Sequence, residues 1–207
     1  ASSLLDIRIG SDNPEKRIAK GGIGLIDSRL FLETPLLNKK ISLLISARSS
    51  YSTWLLHKIP EVDLMNSSAH FYDVSALLAW KPDPANRISL FGYLSKDKFA
   101  YAKDRSYNYT NLLASAKWKH TFSNTFYFNV VAGLSNYLYQ LSESDSLRPW
   151  ESLKINSLVI YRNLKANFSW LPLDNHAIDF GINGVLYNIT PGDQSPLGPE
   201  SQIQLLK

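Results

Sequence analysis

Small or apolar residues alternate with polar residues along most of the chain, with a period of two rather than 3.6. Between Phe71 and Trp80, for example, one set of alternate positions is apolar throughout, and the other set carries Asp73 and Ser75. Successive side chains of a β-strand point to opposite faces of a sheet. The alternation therefore predicts strands whose two faces meet different surroundings.

Turn residues divide this pattern into about nine predicted strands, which makes the chain all-β. The predicted strands are residues 17–26, 29–36, 41–51, 71–80, 87–98, 108–120, 125–139, 152–170 and 176–188. If Asp27-Ser28 is a kink rather than a turn, 17–36 forms one strand and the count falls to about eight. Further strand-like runs occur at residues 3–9 and 202–207, so we expect the sequence to be an internal piece of a longer protein.

The predicted connections tend to alternate in length. Short turns are expected at 37–40, 82–86, 122–124 and 172–175, and longer connections at 56–68, 99–107, 142–149 and 190–201. Transmembrane up-and-down barrels of the outer membrane have short periplasmic turns and longer outer loops. The pattern therefore favours a transmembrane antiparallel β-barrel over a soluble β-protein, whose strands are usually only about 5 to 6 residues long.

The two predicted faces suggest which residues would meet lipid and which would line a lumen. Aromatic residues lie at the ends of the apolar sets, and those expected at the membrane interface are Tyr72, Trp80, Trp118 and Trp170. Residues 72 and 80 are about 27 Å apart at the rise of a strand, near the height of the apolar band of such barrels. The candidates for the lumen face are Arg48, Asp73, Lys117, Asn129 and Asp179.

Composition and motifs point away from an enzyme or a nucleic-acid-binding protein. The net charge of +4 is spread along the chain, and there is no cysteine. The four histidines have no metal-ligand spacing, and the scattered carboxylates have no oriented nucleophile beside them. The run Gly21-Gly22-Ile23-Gly24 lacks the Lys and Ser/Thr of a phosphate loop and is more typical of a bulge or a close backbone approach in a strand. We expect no catalytic, cofactor or metal site.

Several segments resemble the TonB-dependent outer-membrane transporters, in particular the Bacteroidota branch with a carboxypeptidase-regulatory-like N-terminal domain. The opening "LLDIRIGSDN" and the following "GGIGLIDSRLFLETPLLNKKISLLISARSSY" are similar to the plug-to-barrel junction of that family. The matching positions are Ser28-Arg29-Leu30, Glu33, Pro35, Arg48, Tyr51, Phe71-Tyr72-Asp73, Leu90-Phe91-Gly92-Tyr93 and Asp97-Lys98-Phe99.

The resemblance implies a fold, a location and a set of partners. Residues 1–14 would end a plug domain, and residues 15–207 would form the first nine or so strands of a barrel of about 22 strands in the bacterial outer membrane. The whole protein would import a nutrient such as a glycan, peptide or metal chelate. Its partners would be outer-membrane lipid, the TonB complex through the family's N-terminal region, and a surface lipoprotein lid or other outer-membrane subunits. Two alternatives remain open: a structural barrel subunit without transport of its own, and a small passive porin-like barrel.

Overall fold

The computed structural model describes residues 16–145, 147–173 and 175–205. Residues 1–14, which the sequence assigns to the end of a plug domain and which include the strand-like run at 3–9, lie outside the described residues. Within them, nine antiparallel strands form one sheet in simple sequence order, each strand pairing with the next. The strands are β1 Ile18–Ile23, β2 Asp27–Leu36, β3 Ile41–Ser50, β4 Ser68–Asp83, β5 Asn86–Tyr101, β6 Arg105–Ser123, β7 Phe126–Glu143, β8 Leu153–Leu173 and β9 His176–Pro196.

The sheet is all-β and up-and-down, as predicted, but it is not closed. Strands β1 and β9 are its two edges and do not pair with each other among the described residues. Only four apolar residues of that part of the chain are buried, because no second layer packs on the sheet; they are Leu44, Leu77, Ala79 and Phe128. A β-sheet normally buries at least one face, whereas no second layer of the described chain covers either face of this sheet.

The first hairpin settles the strand count at nine. Ile18 pairs with Glu33 and Ile23 with Ser28, so β1 and β2 are separate antiparallel strands. Their connection is Gly24 to Ile26, where the amide of Gly24 donates to the carbonyl of Asp27 at 2.7 Å. Asp27-Ser28 therefore begins β2 rather than forming the turn, and the single-strand alternative for 17–36 is wrong.

The strands from β4 onward are long, with 16 to 21 residues each. The predicted connection at 99–107 is wrong, because β5 and β6 continue through it to a tight turn at Ala102-Lys103-Asp104. Ala102 and Lys103 adopt positive φ angles of 49° and 65°, the backbone that two-residue hairpin turns favour. The loop expected at 190–201 is likewise shorter, since β9 runs on to Pro196.

The chain connections differ in length at the two ends of the sheet. One end, here called the turn end, carries four short connections at 37–40, 84–85, 124–125 and 174–175. The other, the loop end, carries connections of mixed length: 24–26, 51–67, 102–104 and 144–152. The longest of these holds two single-turn helices, α1 Thr53–Leu56 and α2 Val62–Met65, and another holds a 3₁₀ turn, Pro149–Glu151. The strand expected at 202–207 does not form over residues 202–205.

No helix in the described part of the chain is long and apolar enough to cross a membrane.

Candidate functional site

The register of the sheet assigns every strand residue to one of two faces. Trp80 lies opposite Ile88, Ile88 opposite Trp118, and Trp118 opposite Val130. Directly paired residues share a face, and successive residues alternate between faces. We call the face that contains Trp80 the apolar face, and the opposite one the polar face.

The structure places the predicted site residues on these two faces as two consistent groups. All four expected interface aromatics, Tyr72, Trp80, Trp118 and Trp170, lie on the apolar face, and all are 42–45% exposed. All five lumen candidates lie on the polar face: Arg48, Asp73, Lys117, Asn129 and Asp179. They are spread over five strands and do not converge on one point. That the polar face lines a lumen stays a prediction.

Arg48 and Asp73 form the best-defined contact among the lumen candidates. They are directly opposite each other on β3 and β4, and the Arg48 Nε donates to the Asp73 carboxylate at 2.9 Å. The guanidinium also lies over the ring of Phe71, 4.9 Å from its centre. Because the Arg48 side chain is half exposed, this pair fixes side-chain direction more than it stabilises the fold.

The three tryptophans follow an inclined line across the sheet rather than one hydrogen-bonded row. Trp80 and Trp118 share a row that continues to Ala166 on β8, and Trp170 lies four residues beyond Ala166 toward the turn end. Four residues correspond to about 13 Å along the strand, and four strand spacings to about 19 Å across it. The average incline from Trp80 to Trp170 is thus about 35°, the lower end of the usual tilt of barrel strands, and all of the fall lies between Trp118 and Trp170.

A second inclined line bounds the apolar face nearer the loop end. On each strand from β5 to β9, it passes through the first polar residue of that face met on moving from the tryptophan line toward the loop end. These residues are Lys96, Thr110, Asn136, Arg162 and Asn188. Lys96 pairs with Thr110, whose row passes through Leu138 to Leu158, and Arg162 lies four residues further toward the turn end. From β5 to β8 this line falls four residues over three strand spacings, about 42°, so over those strands it runs nearly parallel to the tryptophan line. On β9 it turns back by two residues, because Asn188 pairs with Ile160 rather than with Arg162.

Between the two lines the apolar face of β4 to β9 carries no charged residue within the described chain. The band is eight residues high on both β4, from Tyr72 to Trp80, and β8, from Arg162 to Trp170. Eight residues span about 26 Å along a strand, or about 20 Å perpendicular to the band at a tilt of 40°. The polar face at the same height carries Asp73, Lys117 and Asp179.

An aromatic cluster occupies the turn-end margin of the apolar face. The ring of Trp118 meets that of Phe128 edge-on at 4.8 Å, and Phe168 stacks on Phe180 at 5.3 Å. The cluster consists of Trp118, His120, Phe122, Phe126, Phe128, Phe168 and Phe180. Aromatic rings at such a margin combine a large apolar surface with polar edges, and this suits the boundary between an apolar and an aqueous phase.

A polar network at the β4–β5 turn orients one of these tryptophans. Asp83 Oδ1 accepts from the amides of Ala85 and Asn86, and the side chain of Asn86 donates to the same carboxylate at 2.9 Å. The Oδ1 of Asn86 in turn accepts from the indole Nε1 of Trp118 at 3.0 Å. The turn therefore provides hydrogen-bond acceptors both for its own backbone amides and for the indole N–H of Trp118.

The loop-end connections have similar internal ties. The hydroxyl of Tyr51 donates to the carbonyls of Gly24 and Asp27, and the indole of Trp54 donates to the carbonyl of Leu25 at 3.0 Å. These bonds join the β3–β4 connection to the β1–β2 turn. In the β7–β8 connection, the backbone amide of Leu147 donates to Asp145, and this bond lowers the pKa of the carboxyl below its ordinary value.

The structure also shows a group of residues that the sequence interpretation missed. Tyrosines lie on the polar face of four adjacent strands: Tyr109 on β6, Tyr137 and Tyr139 on β7, Tyr161 on β8 and Tyr187 on β9. The spacing of two between Tyr137 and Tyr139 was a signal in the sequence that they share a face. Their grouping across strands depends on the register.

The glycine run and the metal-binding side chains singled out from the sequence can be located in the described part of the chain. The run Gly21-Gly22 lies within β1 and is not a phosphate-binding loop. No group of three or more metal-binding side chains comes together among the described residues. An open hollow of about 710 Å³ lies beside β1 and includes Arg29, Arg48 and Tyr72, at an edge of the sheet that has no partner strand among the described residues.

Comparison of the chain with protein-family models, with curated proteins and with solved structures gives no match.

Proposed function

We propose that this sheet is part of the wall of a larger outer-membrane β-barrel, with the apolar face toward lipid and the polar face toward the lumen. The observation that carries the proposal is the pair of nearly parallel inclined lines that bound the uncharged band. Strands of outer-membrane barrels tilt by about 35–45° and carry an outward apolar band of about 25 Å between aromatic girdles. The inclination agrees with that tilt, and the height of about 20 Å perpendicular to the band is slightly below that value.

The open edges support a barrel larger than nine strands. Unpaired strand edges leave backbone N–H and C=O groups without partners, and this is very costly in hydrocarbon. Further strands must therefore follow β9 and precede or meet β1 if the band lies in lipid. The alternative of a small passive barrel would require the two edges to be joined, and β1 and β9 do not pair among the described residues.

The particular function we propose is TonB-dependent import of a nutrient across the outer membrane. It rests on the resemblance of the Leu4–Tyr51 segment to the plug-to-barrel junction of that family. In this proposal the polar face forms part of the pathway wall, the plug lies against it, and energy reaches the plug through TonB.

Brominated lipids test which face meets the membrane. The complete protein, reconstituted in vesicles, would carry Trp118 or Trp170 as its only tryptophan. Lipids brominated near the headgroup should quench its fluorescence more than lipids brominated at the acyl-chain end, because both residues lie at the margin of the band. A control variant would keep only Trp150, in the loop-end connection, and should show little quenching by either lipid. If neither brominated lipid quenched the fluorescence of any of the three variants, the assignment of the apolar face to the membrane would be contradicted.

Transport is tested separately. Cells that express the complete protein as their only importer of a nutrient should lose growth on it when TonB is deleted. Growth that does not depend on TonB, together with co-purified outer-membrane subunits, would favour the structural-subunit alternative.

A further inference from the structure

The tyrosines of the polar face form a belt that crosses four strands at one level. Tyr109, Tyr137, Tyr161 and Tyr187 are each adjacent in sequence to a residue of the polar line on the apolar face: Thr110, Asn136, Arg162 and Asn188. From β6 to β8 the belt therefore follows the same incline as that line, and on β9 Tyr187 lies directly opposite Tyr161. We define the tyrosine belt as Tyr109, Tyr137, Tyr139, Tyr161 and Tyr187.

The rings of the belt lie close enough to present an extended aromatic surface. The centres of Tyr109 and Tyr139 are 5.1 Å apart with an angle of 29° between the planes, and Tyr109 and Tyr137 are 6.4 Å apart. Tyr161 and Tyr187 are 5.0 Å apart. Tyr137 is 37% exposed although it lies between two neighbouring strands. The surface spans three strand spacings, about 14 Å.

The polar groups beside the belt are neutral side chains and one carboxylate. Asp97 is directly opposite Tyr109, and Asn111 is opposite Tyr137. The amide nitrogen of Asn111 donates to the hydroxyl of Ser95 at 2.9 Å, and an amide oxygen of this kind can accept a hydrogen bond from a ligand hydroxyl. Planar carboxylate and amide groups can each bond two adjacent hydroxyls.

The charge pattern disfavours an anionic ligand at the belt. Arg105, about 13 Å from Tyr139 along the strands, pairs with Glu143 at 3.1 Å. On the described part of the polar face, Lys117 and Lys165 lie in the row of Val131, and Lys165 is four residues from Tyr161 on β8, or about 13 Å. Asp97, directly opposite Tyr109, is thus the charged residue that shares a row with the belt.

We propose that the tyrosine belt binds a neutral oligosaccharide. The C–H bonds on one face of a pyranose carry partial positive charge and pack on the negative face of an aromatic ring, while the hydroxyls at its rim reach Asp97 and Asn111. The ring spacing in the belt and the strand spacing are both about 5 Å, close to the length of one sugar unit in a chain. The belt would thus hold several consecutive units. This inference rests on the proposed function, because it names the substrate class of the proposed pathway.

Binding to the complete purified protein in detergent tests the proposal. Isothermal titration would use maltoheptaose, cellohexaose, xylohexaose and mannohexaose as neutral probes, with oligogalacturonate and a hexapeptide as competitors of other chemistry. At least one neutral probe should bind, and Tyr137→Ala should weaken that binding about tenfold through loss of the stacked ring. Tyr137→Phe should retain binding to within about threefold, because it keeps the ring. The matched control is Tyr127→Ala, on the same strand and face, which should leave binding unchanged.

Four outcomes would overturn the proposal: no binding of any neutral probe, preferred binding of the hexapeptide, preferred binding of oligogalacturonate, or equal affinity of wild type and Tyr137→Ala. Each variant would first be checked for wild-type quenching by brominated lipid. If brominated lipid quenches the protein as expected for a membrane barrel but no sugar binds, only the proposal about the belt is refuted. If brominated lipid does not quench the wild-type protein, the membrane proposal itself is refuted.

Discussion

At the scale of single residues, the turn ends of the strands are fixed by short-range polar contacts that also hold the margin aromatics. Asn86 serves three groups at once: it donates to Asp83, accepts from the indole of Trp118, and bonds the ring nitrogen of His120 at 2.9 Å. The sequence suggested the turn at 82–86 and the interface role of Trp118, but not the bond between them. That bond depends on β6 lying beside the turn.

We expect Asn86→Ala to destabilise the complete folded protein by about 1–2 kcal/mol, since it removes the shared acceptor and the donor to Asp83. The measurement is the urea midpoint of unfolding in lipid vesicles. The control is Asn124→Ala in the β6–β7 turn, an exposed position with no such network, which should change the midpoint little. Equal effects of the two substitutions would show that the network does not stabilise the turn.

At the scale of elements, close approach between neighbouring backbones limits which residues the later strands accept. A Cβ added at Gly181 on β9 would overlap the carbonyl oxygen of Ala166 on β8, whereas at Gly184 the nearest atom is 4.0 Å away. The sequence places the two glycines on opposite faces but does not show which of them is crowded. Only the local path of β8 past β9 distinguishes them.

Gly181→Ala should therefore weaken the β8–β9 ladder by about 1–3 kcal/mol, because the backbone must shift. Gly184→Ala, three residues along the same strand, should be neutral or slightly stabilising, since alanine loses less conformational freedom on folding than glycine. Hydrogen exchange of the β9 amides in the complete protein would detect the difference. Similar protection in both variants would contradict the predicted clash.

At the scale of the whole molecule, the sheet separates a face that carries charged residues from one that carries none over the band. Ile182 and Asn183 lie near the middle of that band on β9 and point to opposite faces. Ile182 is 75% exposed, so nothing in the described chain covers it. In the proposed barrel, lipid covers Ile182 and the lumen surrounds Asn183.

Ile182→Arg should then impair assembly of the complete protein, because an arginine on the lipid face near the bilayer centre costs about 2–4 kcal/mol. Asn183→Arg should assemble normally. Heat-modifiable migration on gels, which distinguishes folded from unfolded barrels, provides the measurement for both. If the two variants assembled equally well, the assignment of the faces to lipid and lumen would be wrong.

The sequence by itself determined the strands and their two faces. Alternation is a local property of an extended backbone, so the parity of Trp80, Trp118 and Trp170 and that of Asp73, Lys117 and Asp179 could be read without a fold. The sequence predicted the ends of strands less well where polar and aromatic residues continue a strand into the expected loop, as at 99–107. There, composition resembles a connection although the backbone bonds of β5 and β6 continue.

The tertiary structure decided everything that depends on which residue lies opposite which. Pairing of β1 with β2 set the strand count, and the register produced the inclined lines, the turn network at Asn86 and the tyrosine belt. The physical reason is that register is a relation between strands: a chain of alternating residues specifies which face each side chain takes, but its neighbours across the sheet follow only from the hydrogen-bonded alignment of all nine strands.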